Sequence, residues 1–190
     1  CKKTMRMRII DVGLIIAMII LGANAAVRLI DLSTIMQYFP FDYTNDLTSY
    51  LGQLHFLKVC GFHEYCPYWY NGFTTFLATP PGWYILAYPL YVLTSSVTVA
   101  FFLSVILMLI AAAAAIIYLG KKLAITPLRS VALFALIFGN AIAVGNFLRL
   151  GRVHAMLNTI LFIILLLIMW GYRNKYLDKW FFATSVVFGM

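Results

Sequence analysis

The chain has 190 residues, 64% of them hydrophobic and only 11% charged, with a mean hydropathy of +0.93; soluble domains run at roughly 45–50% apolar and 25% charged, so water is not its main solvent. A formal charge of +8 would suit nucleic acid. The Lys and Arg residues, however, fall in short clusters between apolar runs of helical length, the pattern of membrane topology signals, and this argues against a nucleic-acid partner.

Lys2, Lys3, Arg6 and Arg8 precede the first apolar stretch, about 9–30, whose polar interruptions are Asp11, Asn24 and Arg28. Basic residues ahead of a first span hold the N-terminus in the cytoplasm, so this reads as the signal-anchor helix of a multi-pass protein of the cell membrane. Residues 31–80 then form an external loop rich in Tyr, Asn, Thr, Gly and Phe. It holds four of the six acidic residues, Asp31, Asp42, Asp46 and Glu64, which makes it the place to look for chemistry.

Within the loop, Leu47, Tyr50, Leu51, Leu54 and Leu57 recur at helical spacing behind Asn45-Asp46. The spacing predicts a helix of about three turns, capped there and lying flat in the membrane interface on its apolar stripe. Asp46 at its positive end is favoured in the ionised form. It reads either as a cap alone or as a carboxylate that accepts a proton, binds a metal or orients a hydroxyl. Cys60 and Cys66 suit a small disulfide-closed turn in an oxidising compartment. A Cys60, His63, Cys66 metal site is the alternative, without an evident fourth ligand. Trp69 and Tyr70 offer aromatic faces of the kind that anchor at interfaces or stack on sugars. Thr79-Pro80-Pro81-Gly82 closes the loop with a rigid turn that opens a helix, because proline is tolerated in the first helical turn.

Beyond Pro80 come apolar pieces at about 82–94, 97–119, 128–148 and 154–171. The first is about half a span long. If it does not cross, the basic residues at 121, 122, 129, 173, 175 and 179 share the cytoplasmic side with the N-terminal four. That places ten of the fourteen basic residues inside, whereas a crossing 82–94 segment breaks the positive-inside rule. In the preferred topology the turn holding Arg149, Arg152 and His154 emerges on the same side as the loop. A last span begins at about 179 and stops short, so the chain is expected to be the N-terminal part of one longer transmembrane domain. Asn140, Asn146 and Asn158 are the amides within the later spans, and Asn140 and Asn146 are expected to hydrogen-bond neighbouring helices. With no charge deep in the spans, a transporter is disfavoured. The expected fold is an all-α integral membrane protein, a polytopic helical bundle whose long first extracytoplasmic loop carries juxtamembrane helices.

The order of features in the loop resembles a known family. Asp46, Gly61, Pro67-Tyr68-Trp69, Asn71-Gly72-Phe73 and Pro80-Pro81-Gly82-Trp83-Tyr84 look like the start of polytopic GT-C glycosyltransferases. The pattern is similar above all to the pyruvoyl-tetrahydropterin-synthase-related membrane proteins, and more distantly to oligosaccharyltransferase catalytic subunits and protein mannosyltransferases. The resemblance implies transfer of a sugar from a polyprenyl-phosphate-linked donor to an acceptor on the extracytoplasmic face. Asp46 would be the catalytic carboxylate, with Asp42 as its rival, and Arg149, Arg152 and His154 would bind the lipid phosphate, with Trp69 and Tyr70 at the substrate. Arginine suits that task because it pairs bidentately with phosphate oxygens; interfacial snorkelling is the bland reading of the same arginines. No cofactor is implied with certainty, and a divalent metal stays open. Where relatives often carry His four residues after the acid, this chain has Tyr50, which argues against a His-assisted version. A non-catalytic membrane subunit of a larger complex is the alternative function, with membrane lipid and other membrane subunits as partners.

Overall fold

The computed structural model describes residues 2–38, 45–68, 71–77, 79–173, 176 and 178–189. Helices α1 (Lys2–Tyr38), α2 (Asn45–Cys60), α3 (Gly82–Thr94), α4 (Val97–Lys122), α5 (Pro127–Phe138), α6 (Ala141–Ala143), α7 (Val153–Tyr172) and α8 (Lys179–Gly189) account for most of it. A π-helical segment, Val144–Arg149, continues α6. Two short strands, β1 (Tyr65–Cys66) and β2 (Phe73–Thr74), pair antiparallel with Cys66 opposite Phe73. The all-α class is as expected. Ile9–Thr34 of α1, all of α4 and all of α7 are long and apolar enough to cross a bilayer. The pair formed by α5 and Ala141–Arg149, bent by 47°, makes a fourth if the two pieces form one span.

Several expectations change. The first helix does not end near residue 30 but continues to Tyr38, because 31–38 contains neither Gly nor Pro and the next breaker is Pro40. Arg28 and Asp31, one turn apart at 3.3 Å, bridge the point where the loop was expected to start. The apolar stripe of α2 is not laid on a bilayer surface either. Leu47, Leu51 and Leu54 are buried, and α2 packs on α3 and α4. A stripe of period 3.6 demands an apolar neighbour without saying which; here Trp83 and Tyr84 of α3 provide it.

Helix α3 spans 13 residues, about 20 Å at 1.5 Å per residue, well short of a hydrocarbon core of about 30 Å. Pro89 sits inside it, where the missing N–H removes one helical bond. The helix stops at Ser95, whose φ of 54° turns the chain and whose N–H bonds to the Tyr91 carbonyl. Ser96 then caps α4 by accepting from the Val99 N–H. The two helices fold back on each other, tied where Trp83 Nε1 donates to Ser104 Oγ at 2.9 Å.

The break between α5 and α6 has a single amide at its centre. Asn140 Nδ2 donates to the carbonyls of Leu136 and Ile137, while its Oδ1 accepts from the N–H groups of Ile142 and Ala143. It therefore closes both ends of a broken helix in its own chain segment, instead of reaching a neighbouring helix as expected. Asn24 of α1 is the amide that reaches across, donating to the Gly139 carbonyl at 3.1 Å. That crossing needs glycine, since a Cβ at 139 would come within 2.9 Å of the Leu21 carbonyl oxygen. The largest fully buried side chains, among them Trp83, Tyr84, Phe101, Leu47, Leu54 and Met156, gather where α2 and α3 meet the starts of α4 and α7.

Candidate functional site

Asp46 lies in the first turn of α2, where the helix's unpaired N–H groups favour a carboxylate. The turn before α7 is brought onto it by Gly151, which has a φ of +62°. A Cβ on Gly151 would lie 2.7 Å from Leu47 Cβ, so only glycine lets the two backbones approach this closely. The consequence is an ion pair across 106 residues of sequence: Arg152 Nε donates to Asp46 Oδ2 at 2.8 Å. Both side chains remain close to half exposed, 42% for Asp46 and 49% for Arg152, so the pair contributes only about 0.2–1 kcal/mol to stability. Its interest is chemical. A guanidinium carries five N–H donors, and a bond through Nε leaves the terminal amino groups able to meet an oxyanion while the carboxylate is held.

Next to the pair in both elements lies an aromatic layer. Tyr50, four residues after Asp46, meets the His154 ring edge-on with centroids 4.7 Å apart. Tyr84 and Trp83 close round the same imidazole at 5.1 and 5.9 Å. His154 Nε2 is buried and has no hydrogen-bond partner among the described residues, an exception to the rule that buried polar atoms are paired. Burial pushes the Tyr50 phenol above its usual range; the Asp46 carboxylate pushes it further, and Arg152 offsets part of this. The Tyr84 phenol is raised well beyond the usual tyrosine range, by burial first and by Tyr50 second. Tyr84 stays neutral and donates to Gln53 Oε1 at 3.0 Å.

The expected residues are thus only partly brought together. Asp46 meets Arg152, and His154 packs behind them, encased in rings rather than standing at a cavity mouth. Arg149 lines a separate open groove with Asn146, Gly145 and Ile142 on the π-helical side. Asp42, Trp69 and Tyr70 lie outside the described residues. Cys60 and Cys66 are joined as a disulfide, so neither thiol is available to the alternative metal site. No group of three His, Cys, Asp or Glu residues among the described ones could hold a metal.

No family model, curated protein or solved structure matches the chain. The geometry therefore carries the functional argument alone. Sequence reasoning missed Trp83, Tyr84 and Gln53 as the frame of this site. The available signal was the Trp83-Tyr84 pair at the start of a helix, since two large amphipathic side chains in sequence need hydrogen-bond partners once buried.

The disulfide turn supports the far end of α2. Thr75 is buried, and its Oγ1 donates to the Gly61 carbonyl at 2.7 Å and accepts from the Glu64 N–H at 3.2 Å. Tyr65 OH donates to the Asn71 carbonyl. These bonds and the Cys60–Cys66 link tie the hairpin to the end of α2.

Proposed function

We propose that the chain is part of a multi-pass membrane glycosyltransferase of the GT-C type that moves a sugar from a polyprenyl-phosphate-linked donor to an acceptor on the extracytoplasmic face. The observation that carries this reading is the Asp46–Arg152 pair. It joins the acid of the first loop to the cationic turn before α7, the two regions that such chemistry needs on one face. In this reading Asp46 takes a proton from, or orients, the acceptor nucleophile, and Arg152 meets the charge that develops on the leaving lipid phosphate. The N-terminus is cytoplasmic, and the four apolar helical units cross the membrane.

Membranes carrying the full-length protein, supplied with a panel of radiolabelled polyprenyl-phosphate hexoses, test this. Asp46→Asn is expected to lower transfer by roughly a hundredfold or more, while Asp42→Asn leaves it near wild type. Unchanged transfer in Asp46→Asn would remove this carboxylate from catalysis. The second reading is a non-catalytic subunit of a larger assembly. It is favoured by the engagement of the Asp46 carboxylate with Arg152 and by Tyr50 at the following turn. Wild-type membranes inert with every donor in the panel support that second reading.

A further inference from the structure

A groove of about 270 Å³ runs between α2, the disulfide hairpin and α3, lined by Leu57, Phe62, Phe76, Tyr84, Ile85 and Tyr88 together with Pro81 and Pro89. Its walls are apolar and open: Phe62 is 51% and Ile85 71% exposed. The volume is a little below the range of about 300–1,000 Å³ found for sites that enclose a small molecule, so it suits part of a longer ligand laid in an open trough. A cation follows this lining in the chain. Lys58 follows Leu57 on α2, and its Nζ stands 4.6 Å over the ring of Tyr91, which lies one helical turn beyond Tyr88. The Tyr91 hydroxyl is hydrogen-bonded to His55 Nδ1 at 2.9 Å. Lys58 forms no ion pair among the described residues. An ammonium with no ion pair among the described residues therefore stands one residue beyond the lining Leu57, with an imidazole near it.

We propose that this groove binds an anionic glycerophospholipid of the outer leaflet, with an acyl chain along Phe62, Phe76 and Ile85 and the phosphate at Lys58. The division of labour follows from the chemistry. Burial of methylenes in the trough supplies affinity whatever the headgroup, whereas a single exposed ammonium supplies headgroup choice. A free phosphate finds one exposed cation, too little on its own. The site shares Tyr84 with the aromatic layer behind the Asp46–Arg152 pair, and it rests on the membrane placement proposed above but not on sugar transfer.

The full-length protein in nanodiscs of equal phosphatidylglycerol and phosphatidylcholine, released into detergent and weighed with its retained lipids by native mass spectrometry, tests the site. Wild type is expected to retain phosphatidylglycerol over phosphatidylcholine by about fivefold, the effect of one basic residue at an anionic surface. Lys58→Gln removes that preference without lowering the total lipid retained, and Ile85→Glu lowers retention of both. Equal retention by wild type, a preference that survives in Lys58→Gln, or displacement of the lipid by inorganic phosphate overturns the proposal. A chain that stays outside the discs overturns the membrane reading and this site with it; one that enters them without preference overturns the site alone.

Discussion

At Gly151 the backbone does something no side chain could do as well. Its positive φ and its contact with Leu47 are independent demands, so Gly151→Ala meets both. The left-handed conformation costs a non-glycine residue about 1–2 kcal/mol. The new Cβ also presses on an atom fixed to the backbone of α2, and such overpacking costs about 1–3 kcal/mol more. We expect Gly151→Ala to destabilise the protein by about 2–5 kcal/mol in chemical unfolding and to separate Asp46 from Arg152. Arg152→Ala breaks the same pair while leaving the backbone alone, and should cost no more than about 1 kcal/mol. Equal costs for the two variants would mean that the close approach at 151 carries no strain of its own.

Among the elements, α2 is held at both ends by different means, the ion pair at Asp46 and the disulfide at Cys60. Removing the link by Cys60→Ala with Cys66→Ala frees a loop closed over a sequence separation of 6, for which chain entropy predicts a loss of about 2 kcal/mol. Hydrogen exchange should quicken near Gly61 to Phe76 and stay slow at Leu47 to Leu54, whose burial depends on α3 and α4 instead. Faster exchange along the whole helix would show that the hairpin, not the bundle, sets its stability. The elements themselves were largely legible in the sequence, because apolar length alone marks Val97–Lys122 and Val153–Tyr172. The loop helix was legible too, from Leu47, Leu51 and Leu54, but its neighbour was not: periodicity encodes a face, and only tertiary packing decides what meets it. The break at Gly139 and Asn140 was read as continuous span because its mean hydropathy is high and the cap bonds of Asn140 are a matter of geometry. Likewise, Asp46 and Arg152 were each visible as chemistry, while the choice of Arg152 over Arg149 depends on the turn at Gly151.

For the whole molecule, the ion pair bears on topology. Suppose α3 crossed the bilayer by itself. Then α4 would return, α5 with α6 would cross again, and Arg152 would emerge on the face opposite Asp46. A bond of 2.8 Å between them is incompatible with that arrangement and compatible with α3 folded back on α4. The α1–α5 crossing at Leu21 and Gly139 sets the two helices side by side. We therefore expect single cysteines, placed in full-length protein carrying Cys1→Ala, to divide into two groups under a membrane-impermeant maleimide. Leu77→Cys, at a side chain 75% exposed, should label on intact cells. Thr126→Cys and Tyr176→Cys should label only after permeabilisation, since the positive-inside rule assigns their neighbours to the cytoplasm. Labelling of Thr126→Cys from outside would restore the crossing α3 and separate Asp46 from Arg152. The carboxylate would then lose its Arg152 partner, and the proposed transfer chemistry would lose its geometry.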